Sequence, residues 1–144
     1  MRVLVAVKAT QESESGVMPD DPSMFIEMGK FNDELIAAGL MLDGAGLTPS
    51  SKGKRLTFTG KKAAVTDGPF AETKELIAGY WIWNVKDMDE AVAWASRAPM
   101  GDGATLELRP FMEPEDFEGV VPDSLIEQEK GWREEALAKA PRAG

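Results

Sequence analysis

The sequence predicts an α+β domain built as a ferredoxin-like split βαβ sheet with an extra hairpin. The predicted elements follow the order strand, helix, hairpin strands, strand, helix, strand, which is the order of that arrangement. Two segments repeat apolar residues at helical spacing, and one strand is bulky and apolar on both faces. A chain of 144 residues is also long enough to bury one core of ordinary size.

The first half of the chain predicts a central strand, a helix and a bent edge strand. Arg2–Lys8 is β-branched and apolar between charged ends, which is typical of a strand buried on both faces. The polar segment QESESGVMPDD predicts a loop, after which Asp21 and Pro22 form an N-cap and a first helical position. The apolar stripe of this helix is Met24, Met28, Phe31, Leu35 and Ala38. Leu40–Leu47 contains two glycines and predicts a bent edge strand.

A hairpin and an aromatic strand follow. Lys54–Thr59 and Lys62–Thr66 flank the pair Gly60-Lys61, a Gly-X connection of the kind that joins antiparallel strands. Along Ala78–Lys86 the side chains alternate between two faces. One face has Tyr80, Ile82 and Asn84, and the other has Trp81, Trp83 and Val85. Because both faces are apolar, the helices cover one and a second subunit is expected to cover the other, which predicts a homodimer formed through the sheet face.

The second core helix and the last strand complete the predicted core. Asp87 and Glu90 have the spacing of a capping box, and Pro99 ends the helical segment. Its predicted inward residues are Met88, Ala91, Val92, Ala95 and Ala98. Thr105–Phe111 is then expected to close the core as a strand. Leu106 and Leu108 lie on one side of it, and Glu107 and Arg109 lie on the other.

The last part of the chain predicts an acidic helical arm at 114–144, outside a core domain at 1–113. Glu113–Gly144 has nine acidic and four basic residues, so it supplies much of the formal net charge of -9. Ser124 and Glu127 repeat the capping-box spacing before a moderately amphipathic helix that ends near Ala138. The residues expected to anchor this helix are Leu125 and Trp132. Pro141–Gly144 is expected to be a frayed end.

Composition excludes several kinds of site. Without histidine or cysteine the chain has no imidazole base, no thiolate and no disulfide, so catalysis must use carboxylates, Lys, Arg, Tyr80, hydroxyls or a borrowed cofactor. We predict no resident metal or cofactor. The acidic balance argues against nucleic acid, and the basic cluster is better explained as a solvated hairpin rim. That cluster is Lys52, Lys54, Arg55, Lys61 and Lys62. No apolar segment approaches a membrane span, which predicts a cytoplasmic protein that does not bind membranes.

Asp67 is the candidate catalytic residue. It follows a β-rich segment and lies close in sequence to Glu72, Lys74 and Glu75. Two carboxylates held together in a partly apolar cleft would share a proton. Such a pair supplies a proton donor and a proton acceptor without histidine. In the alternative interpretation, Asp67 makes an Asx-turn and the other three side chains are solvated. The carboxylates lack a recognisable metal-ligand spacing.

Three further side chains are candidates for contact with a substrate or for structural roles. Arg109 lies on a core strand and needs an anionic partner, which could be Glu107, Asp67 or a substrate carboxylate. Lys8, at the end of the first strand, fits either a Schiff-base lysine or a solvated one. Tyr80 fits either the core and dimer interface or the wall of a pocket.

The segment TDGPFAETKELIAGYWIW resembles the YCII-related family, in the branch named for its Asp-Gly-Pro-Phe motif. The segments GLTPS, MRVLVAVKAT, MDEAVAWASRAP and LELRPF are also similar to that branch and occur in the same order. The resemblance covers roughly Met1–Glu113. It implies a ferredoxin-like subunit that forms a dimeric α/β barrel, with an active site around Asp67 in a cleft walled by the segment after it. Some members of the wider family have a His-Asp pair thought to be catalytic, and only the aspartate can be carried over to this chain.

Two functional hypotheses follow. The first is a small-molecule enzyme or binder that uses Asp67 for proton transfer or polar anchoring. In this hypothesis the charges of Glu72, Lys74 and Glu75 determine the electrostatic field at Asp67. The second is a non-catalytic accessory or sensor protein that binds a transcription regulator through its acidic arm. The resemblance suggests the second because genes of the Asp-Gly-Pro-Phe branch often lie beside those of extracytoplasmic-function sigma factors.

Overall fold

The computed structural model describes residues 1–137, and the chain divides into two compact units, Met1–Phe111 and Met112–Gly144. The first unit is a mixed α+β structure with an antiparallel sheet, a separate hairpin and helices. Its strands are β1 (Arg2–Lys8), β2 (Met41–Gly46), β3 (Lys54–Thr59), β4 (Lys62–Asp67), β5 (Ile77–Asn84) and β6 (Leu106–Pro110). Its helices are α1 (Gln11–Ser15), α2 (Ser23–Ala37) and α3 (Met88–Ala95).

The sheet has the strand order of a split βαβ unit. Its four strands lie in the order β2-β5-β1-β6, and all neighbouring strands are antiparallel. The connection that contains α2 passes from β1 to β2, and the one that contains α3 passes from β5 to β6, so each crosses over an intervening strand. The bent edge strand is confirmed, because β2 lies at the edge and its register shifts between Met41 and Asp43.

The core lies between the sheet and the two long helices. Val3, Val5, Trp81 and Trp83 are buried on one face of β1 and β5, where residues of α2 and α3 cover them. Those helix residues are Phe31, Leu35 and Ala91. The aromatic rings form one cluster, in which the ring centroids of Trp81 and Trp83 lie 5.7 Å apart and Phe31 lies 5.9 to 6.4 Å from Trp81, Trp83 and Trp94.

Helix capping agrees with the sequence at the start of α3, differs by one residue at α2 and adds an unpredicted helix. The N-cap of α3 is Asp87, as predicted, whereas the N-cap of α2 is Pro22 and its first helical residue is Ser23. The Asp21 carboxylate accepts hydrogen bonds from the amide and hydroxyl of Ser23, and the Asp87 carboxylate accepts one from the amide of Glu90. The segment predicted to be only a loop contains α1. This short helix forms because Thr10 and Ser13 cap each other reciprocally and Gly16, with φ +74°, ends it.

Three inward positions predicted for the helices are wrong. Met24 and Ala38 are exposed because the buried stripe of α2 is confined to its middle turns, around Phe31. Val92 is also exposed, and the core contact is made by Trp94 instead. The buried side of α3 is centred on Ala91, and a helix turns about 100° per residue, so the next residue points away from the core.

The hairpin forms its own two-stranded sheet. Strands β3 and β4 pair from Lys54 and Asp67 to Thr59 and Lys62, with Gly60 at φ +61° in the connection, which confirms the predicted hairpin. All residues of both strands are exposed. The face that carries Lys54 and Asp67 also carries three apolar side chains, because directly paired residues share a face. They are Leu56, Phe58 and Val65.

The sheet face away from the helices, here called the open face, is not the apolar patch that the sequence predicted. Its apolar centre contains Leu4 and Ile82, which are only partly buried. Charged and polar side chains of all four strands surround that centre because alternation places them on the same face. They are Lys8, Asp43, Tyr80, Glu107 and Arg109.

The second unit contains a 3₁₀ turn at Pro114–Phe117 and a helix, α4 (Asp123–Gly131), that continues as a π-helix over Trp132–Leu137. The capping box predicted at Ser124 is wrong, because the helix begins one residue earlier and Ser124 is already inside it. The predicted anchors Leu125 and Trp132 are each more than half exposed, and the buried residue of α4 is Ile126. Ala138 and Pro141–Gly144 lie outside the described residues.

Candidate functional site

A pocket of about 420 Å³ lies where β2 ends and β5 begins, and is here called the sheet-end pocket. Its apolar lining comes from residues that follow β2, β4 and the turn before β5. They are Leu47, Pro49, Phe70, Leu76 and Ile77. The polar side chains on its walls are Glu14, Thr48, Ser50, Arg55 and Glu75. An apolar cavity with a few polar groups is the usual composition of a small-molecule site.

Ser50 joins three sequence-distant segments at this pocket. Its amide donates to Glu14 Oε1 at 3.0 Å, and its hydroxyl donates to Glu14 Oε2 at 2.5 Å. The same hydroxyl oxygen accepts a hydrogen bond from the amide of Phe70 at 3.1 Å. Because both carboxylate oxygens of Glu14 accept from Ser50, the role of Glu14 is to tie α1 to the pocket wall.

The loop after β4 lies directly against the loop that contains Ser50. The amide of Gly68 donates to the carbonyl oxygen of Gly53 at 3.0 Å. A Cβ atom on Gly68 would lie 1.7 Å from the carbonyl oxygen of Ser50, so only glycine fits between the two backbones. The Gly68–Pro69 peptide bond is cis. These contacts hold Phe70 in the wall of the pocket.

Two charged side chains on the pocket walls have no opposite charge bound to them in the part of the chain that the structure describes. The guanidinium of Arg55 lies over the ring of Phe70, 3.9 Å from its centroid, and makes no ion pair within residues 1–137. The Glu75 side chain likewise has neither a hydrogen bond nor an ion pair in the described part of the chain. Its backbone is fixed by a hydrogen bond from its amide to the carbonyl oxygen of Glu72 at 2.9 Å.

Asp67 lies beside the sheet-end pocket in sequence but faces away from it. Its Oδ1 is 2.5 Å from Lys54 Nζ, and 73% of its side chain is exposed. Since side chains alternate along β3, this ion pair lies on the hairpin face opposite to Arg55. The Asx-turn considered from the sequence is absent at this described position, because its donor would be the amide of residue 69, which is a proline, and the Asp67 carboxylate binds Lys54 instead.

Of the other charged residues predicted around Asp67, one lines the pocket. All three are exposed around the turn before β5, and of them only Glu75 lines the sheet-end pocket, in the part of the chain that the structure describes. The ammonium group that reaches Asp67 belongs to Lys54, not to Lys74. No group of three or more carboxylates in residues 1–137 is placed to hold a metal ion.

Arg109 and Tyr80 lie on the open face, away from the residues of the sheet-end pocket. Arg109 pairs with Glu107 at 3.6 Å, and the same carboxylate lies 3.7 Å from Lys8 Nζ. Only 17% of the Lys8 side chain is exposed, in contrast to a solvated lysine. The Tyr80 hydroxyl donates to Asp43 Oδ2 at 3.3 Å. The negative charge of Asp43 raises the pKa of Tyr80 above 10.0, with smaller contributions from burial and from this hydrogen bond.

The raised pKa of Tyr80 gives a prediction for alkaline titration. Tyr80 is the single tyrosine of the chain, so the ultraviolet absorbance of tyrosinate reports on it alone. We expect its ionisation above pH 10.0 in the folded protein and closer to that value in Asp43→Asn. Because the folded state holds this proton more tightly, the stability it contributes is complete below the unfolded pKa and is lost as pH rises through the folded pKa. Identical titration curves for the two proteins would contradict the assignment to Asp43.

Sequence reasoning missed most of the pocket walls. Arg55 is exposed on the hairpin, as predicted, but its stacking on Phe70 and its place in the pocket wall were not predicted. Glu14 belonged to a predicted loop and was given no role. The segments that contain Ser50 and Phe70 were noted only for their family resemblance, although that resemblance was the signal that could have placed them together.

Replacing Ser50 with alanine is expected to destabilise the first unit by about 1–3 kcal/mol. The change removes the hydroxyl that binds Glu14 and leaves the partly buried amide of Phe70 without its acceptor. Urea denaturation of Ser50→Ala and of Ser51→Ala measures the difference, because Ser51 is exposed in the same 3₁₀ turn. Coincident unfolding curves for these variants would show that the hydrogen bonds of the Ser50 hydroxyl do not contribute to the free energy of unfolding.

Residues 1–114 match the model of the YCII-related domain. An uncharacterized protein of Rhizobium meliloti strain 1021 is 28% identical over 94 residues, which are 64% of this chain and 76% of that protein. Among solved structures, 5-chloro-2-hydroxyhydroquinone dehydrochlorinase (TftG) from Burkholderia phenoliruptrix AC1100, in complex with 2,5-dihydroxybenzoquinone, aligns with a TM-score of 0.46 at 13% identity. That alignment covers 78% of this chain and 95% of the dehydrochlorinase chain. Within residues 1–137, no helix is long and apolar enough to cross a bilayer.

Proposed function

The chain belongs to the YCII-related family, and from that premise we propose that it binds a small organic molecule in the sheet-end pocket, as an enzyme or as a binding protein. The observation that carries the proposal is the junction at Ser50, where hydrogen bonds to Glu14 and from Phe70 fix the pocket walls. A site whose walls are held in place by the protein loses less conformational entropy when a ligand binds.

The chemistry that we propose uses carboxylates. Glu75 lines the pocket, and its oxygens are not bound by the protein in the described residues, so it is the group proposed to contact the ligand. Asp67 is proposed as the proton-transfer or polar anchoring group, a role that requires its carboxylate to turn from the Lys54 side of the hairpin towards the pocket. The support for this role is that Asp67 directly precedes Gly68, which is bound to the pocket-lining Gly53. The Asp67 carboxylate is paired with the Lys54 ammonium, 2.5 Å away.

Ligand screening with three variants tests this proposal. A metabolite library is tested by thermal shift against the wild type, Glu75→Gln and Asp67→Asn, with Glu72→Gln as the matched control on the same exposed turn. We expect a ligand that stabilises the wild type and Glu72→Gln but stabilises Glu75→Gln much less. If the library contains a substrate, Asp67→Asn should retain binding and lose turnover. A ligand that stabilises all four proteins equally would show that the pocket is not its site.

We also propose that the chain belongs to the Asp-Gly-Pro-Phe branch, acts in the cytoplasm and forms a dimeric α/β barrel through the open face. Leu4 and Ile82, which are only partly buried there, support the dimer, as does the exposed apolar hairpin face around Phe58. In such a dimer Tyr80 and Arg109 would lie between the two sheets. Light scattering at micromolar concentration should give twice the chain mass, and the mass of one chain would contradict the dimer.

The second candidate function is a non-catalytic accessory or sensor protein that binds a transcription regulator. Leu125 and Trp132 favour it, because they are exposed apolar side chains within an acidic segment. Removing residues 113–144 discriminates between the candidates. The truncated protein should retain its small-molecule ligand under the first proposal, whereas the second requires that it lose its protein partner.

A further inference from the structure

We propose that the ligand of the sheet-end pocket is amphoteric, with an apolar body that carries one carboxylate and one amine, and that Arg55 binds the carboxylate while Glu75 binds the amine. The inference rests on the proposed function and specifies the chemical class of its ligand. It depends on two opposite charges that line the same cavity and are bound neither to each other nor to other charged residues of the described chain.

Arg55 is placed to receive an anion. Its guanidinium stacks on Phe70, and the amide of Phe70 is held by Ser50 Oγ, so the position of the ring is determined by the backbone. Stacking occupies one flat side of a guanidinium and leaves the N–H groups at its edge available. An arginine edge presents paired donors to the two oxygens of a carboxylate, which makes this group the natural partner.

Glu75 is placed to receive a cation. It is the last residue of the 3₁₀ turn Thr73–Glu75, whose hydrogen bonds fix its backbone, and the next residue, Leu76, is buried. The carbonyl oxygen of Leu76 accepts a hydrogen bond from the amide of Ala9 at 2.9 Å, which ties the turn to the end of β1. A primary ammonium group is the partner that compensates such a carboxylate.

The rest of the pocket determines the body of the ligand. Glu14 does not act as a second cation receptor, because both of its oxygens accept hydrogen bonds from Ser50. Leu47, Leu76 and Ile77 form an apolar surface in the same cavity. A ligand with only a carboxylate would lack the charge pair with Glu75, and a ligand with only an amine would lack the one with Arg55. Each would therefore bind more weakly than a ligand with both groups.

Three probes that share one apolar body test the inference by calorimetry on the full chain. They are L-phenylalanine, L-phenylalaninamide, which lacks the carboxylate, and N-acetyl-L-phenylalanine, which lacks the ammonium group. We expect phenylalanine to bind about two- to fivefold more tightly than either blocked probe, as one solvent-accessible charge pair would give. Arg55→Gln should remove the preference for phenylalanine over the amide only, and Glu75→Gln should remove the preference over the acetylated probe only.

Two control variants isolate the pocket charges. Lys61→Gln removes an exposed cation from the connection of the same hairpin, and Glu72→Gln removes an acid next to the turn that contains Glu75. Both should keep both preferences. Equal affinity for all three probes, or a loss of both preferences in each pocket variant, would overturn the inference. If none of the probes binds while a library compound still stabilises the wild type and not Glu75→Gln, the amphoteric ligand is refuted and the proposed pocket function stands.

Discussion

Replacing Gly68 with alanine should cost the first unit about 3 kcal/mol of stability and deform the sheet-end pocket. The new Cβ would lie 1.7 Å from the carbonyl oxygen of Ser50 and 2.7 Å from its carbonyl carbon. Both are backbone atoms, so no side-chain rotation relieves the overlap, and one loop must move away from the other. That movement breaks the hydrogen bond from Gly68 to Gly53 and pulls Phe70 away from Ser50.

Chemical denaturation and amide hydrogen exchange together measure this effect. We expect a lower free energy of unfolding and faster exchange at the amide of Phe70, because its acceptor is displaced. Gly46→Ala is the matched control, since a Cβ there would meet no atom within 4 Å. A Gly68→Ala protein with wild-type stability and wild-type exchange would mean that the two loops are not in contact in solution.

Truncating Trp83 to alanine should destabilise the first unit by about 3–5 kcal/mol. Trp83 is fully buried at the centre of the core, between Trp81 of its own strand and Phe31 of α2. Alanine would leave a cavity where an indole ring stood, and the surrounding helices and sheet can only partly close it. Trp132→Ala, at an exposed position of the second unit, is the control and should change the unfolding of the first unit little.

Replacing Trp83 with phenylalanine should destabilise the first unit much less than the loss of ring volume alone suggests. The indole Nε1 of Trp83 is buried without a hydrogen-bond partner among the described residues, so removing it relieves a desolvation cost. The indole of Trp81 donates to Asn32 Oδ1 at 2.9 Å, so Trp81→Phe leaves that amide without its donor. Denaturation should therefore show a smaller loss in the free energy of unfolding for Trp83→Phe than for Trp81→Phe. The reverse order would contradict this account.

The sequence predicted the sheet because its signals are local. The alternation from Tyr80 to Trp83 assigned each side chain to a face, and Asp87 marked the start of α3. The ion pair between Lys54 and Asp67 was also within reach, because a two-residue connection at Gly60-Lys61 places these two residues opposite each other. The prediction of a charged cluster around Asp67 did not take that register into account.

The sheet-end pocket could not be predicted in the same way. Glu14 and Ser50 are 36 residues apart, and Ser50 and Phe70 are 20 apart, so no periodicity relates them. Composition also cannot show that an exposed arginine stacks on a ring, which is why the contact of Arg55 with Phe70 was not predicted. The open face was overestimated as apolar because it was judged from β5, and the charged side of the last strand, with Glu107 and Arg109, was not assigned to that face. Its charges come from β1, β2 and β6.

The aromatic cluster of the core gives this protein a built-in optical signal. Three of its four tryptophans lie around Phe31, with Trp81 and Trp83 close enough for their excited states to couple. Coupled indoles held at a fixed angle produce a circular dichroism band that vanishes when the rings separate. Trp132 is the fourth indole and lies in the second unit, exposed to solvent. In a Trp132→Phe variant, tryptophan fluorescence would therefore come from the first unit alone and report its unfolding. The difference between the wild type and this variant would report the unfolding of the second unit, without any added dye.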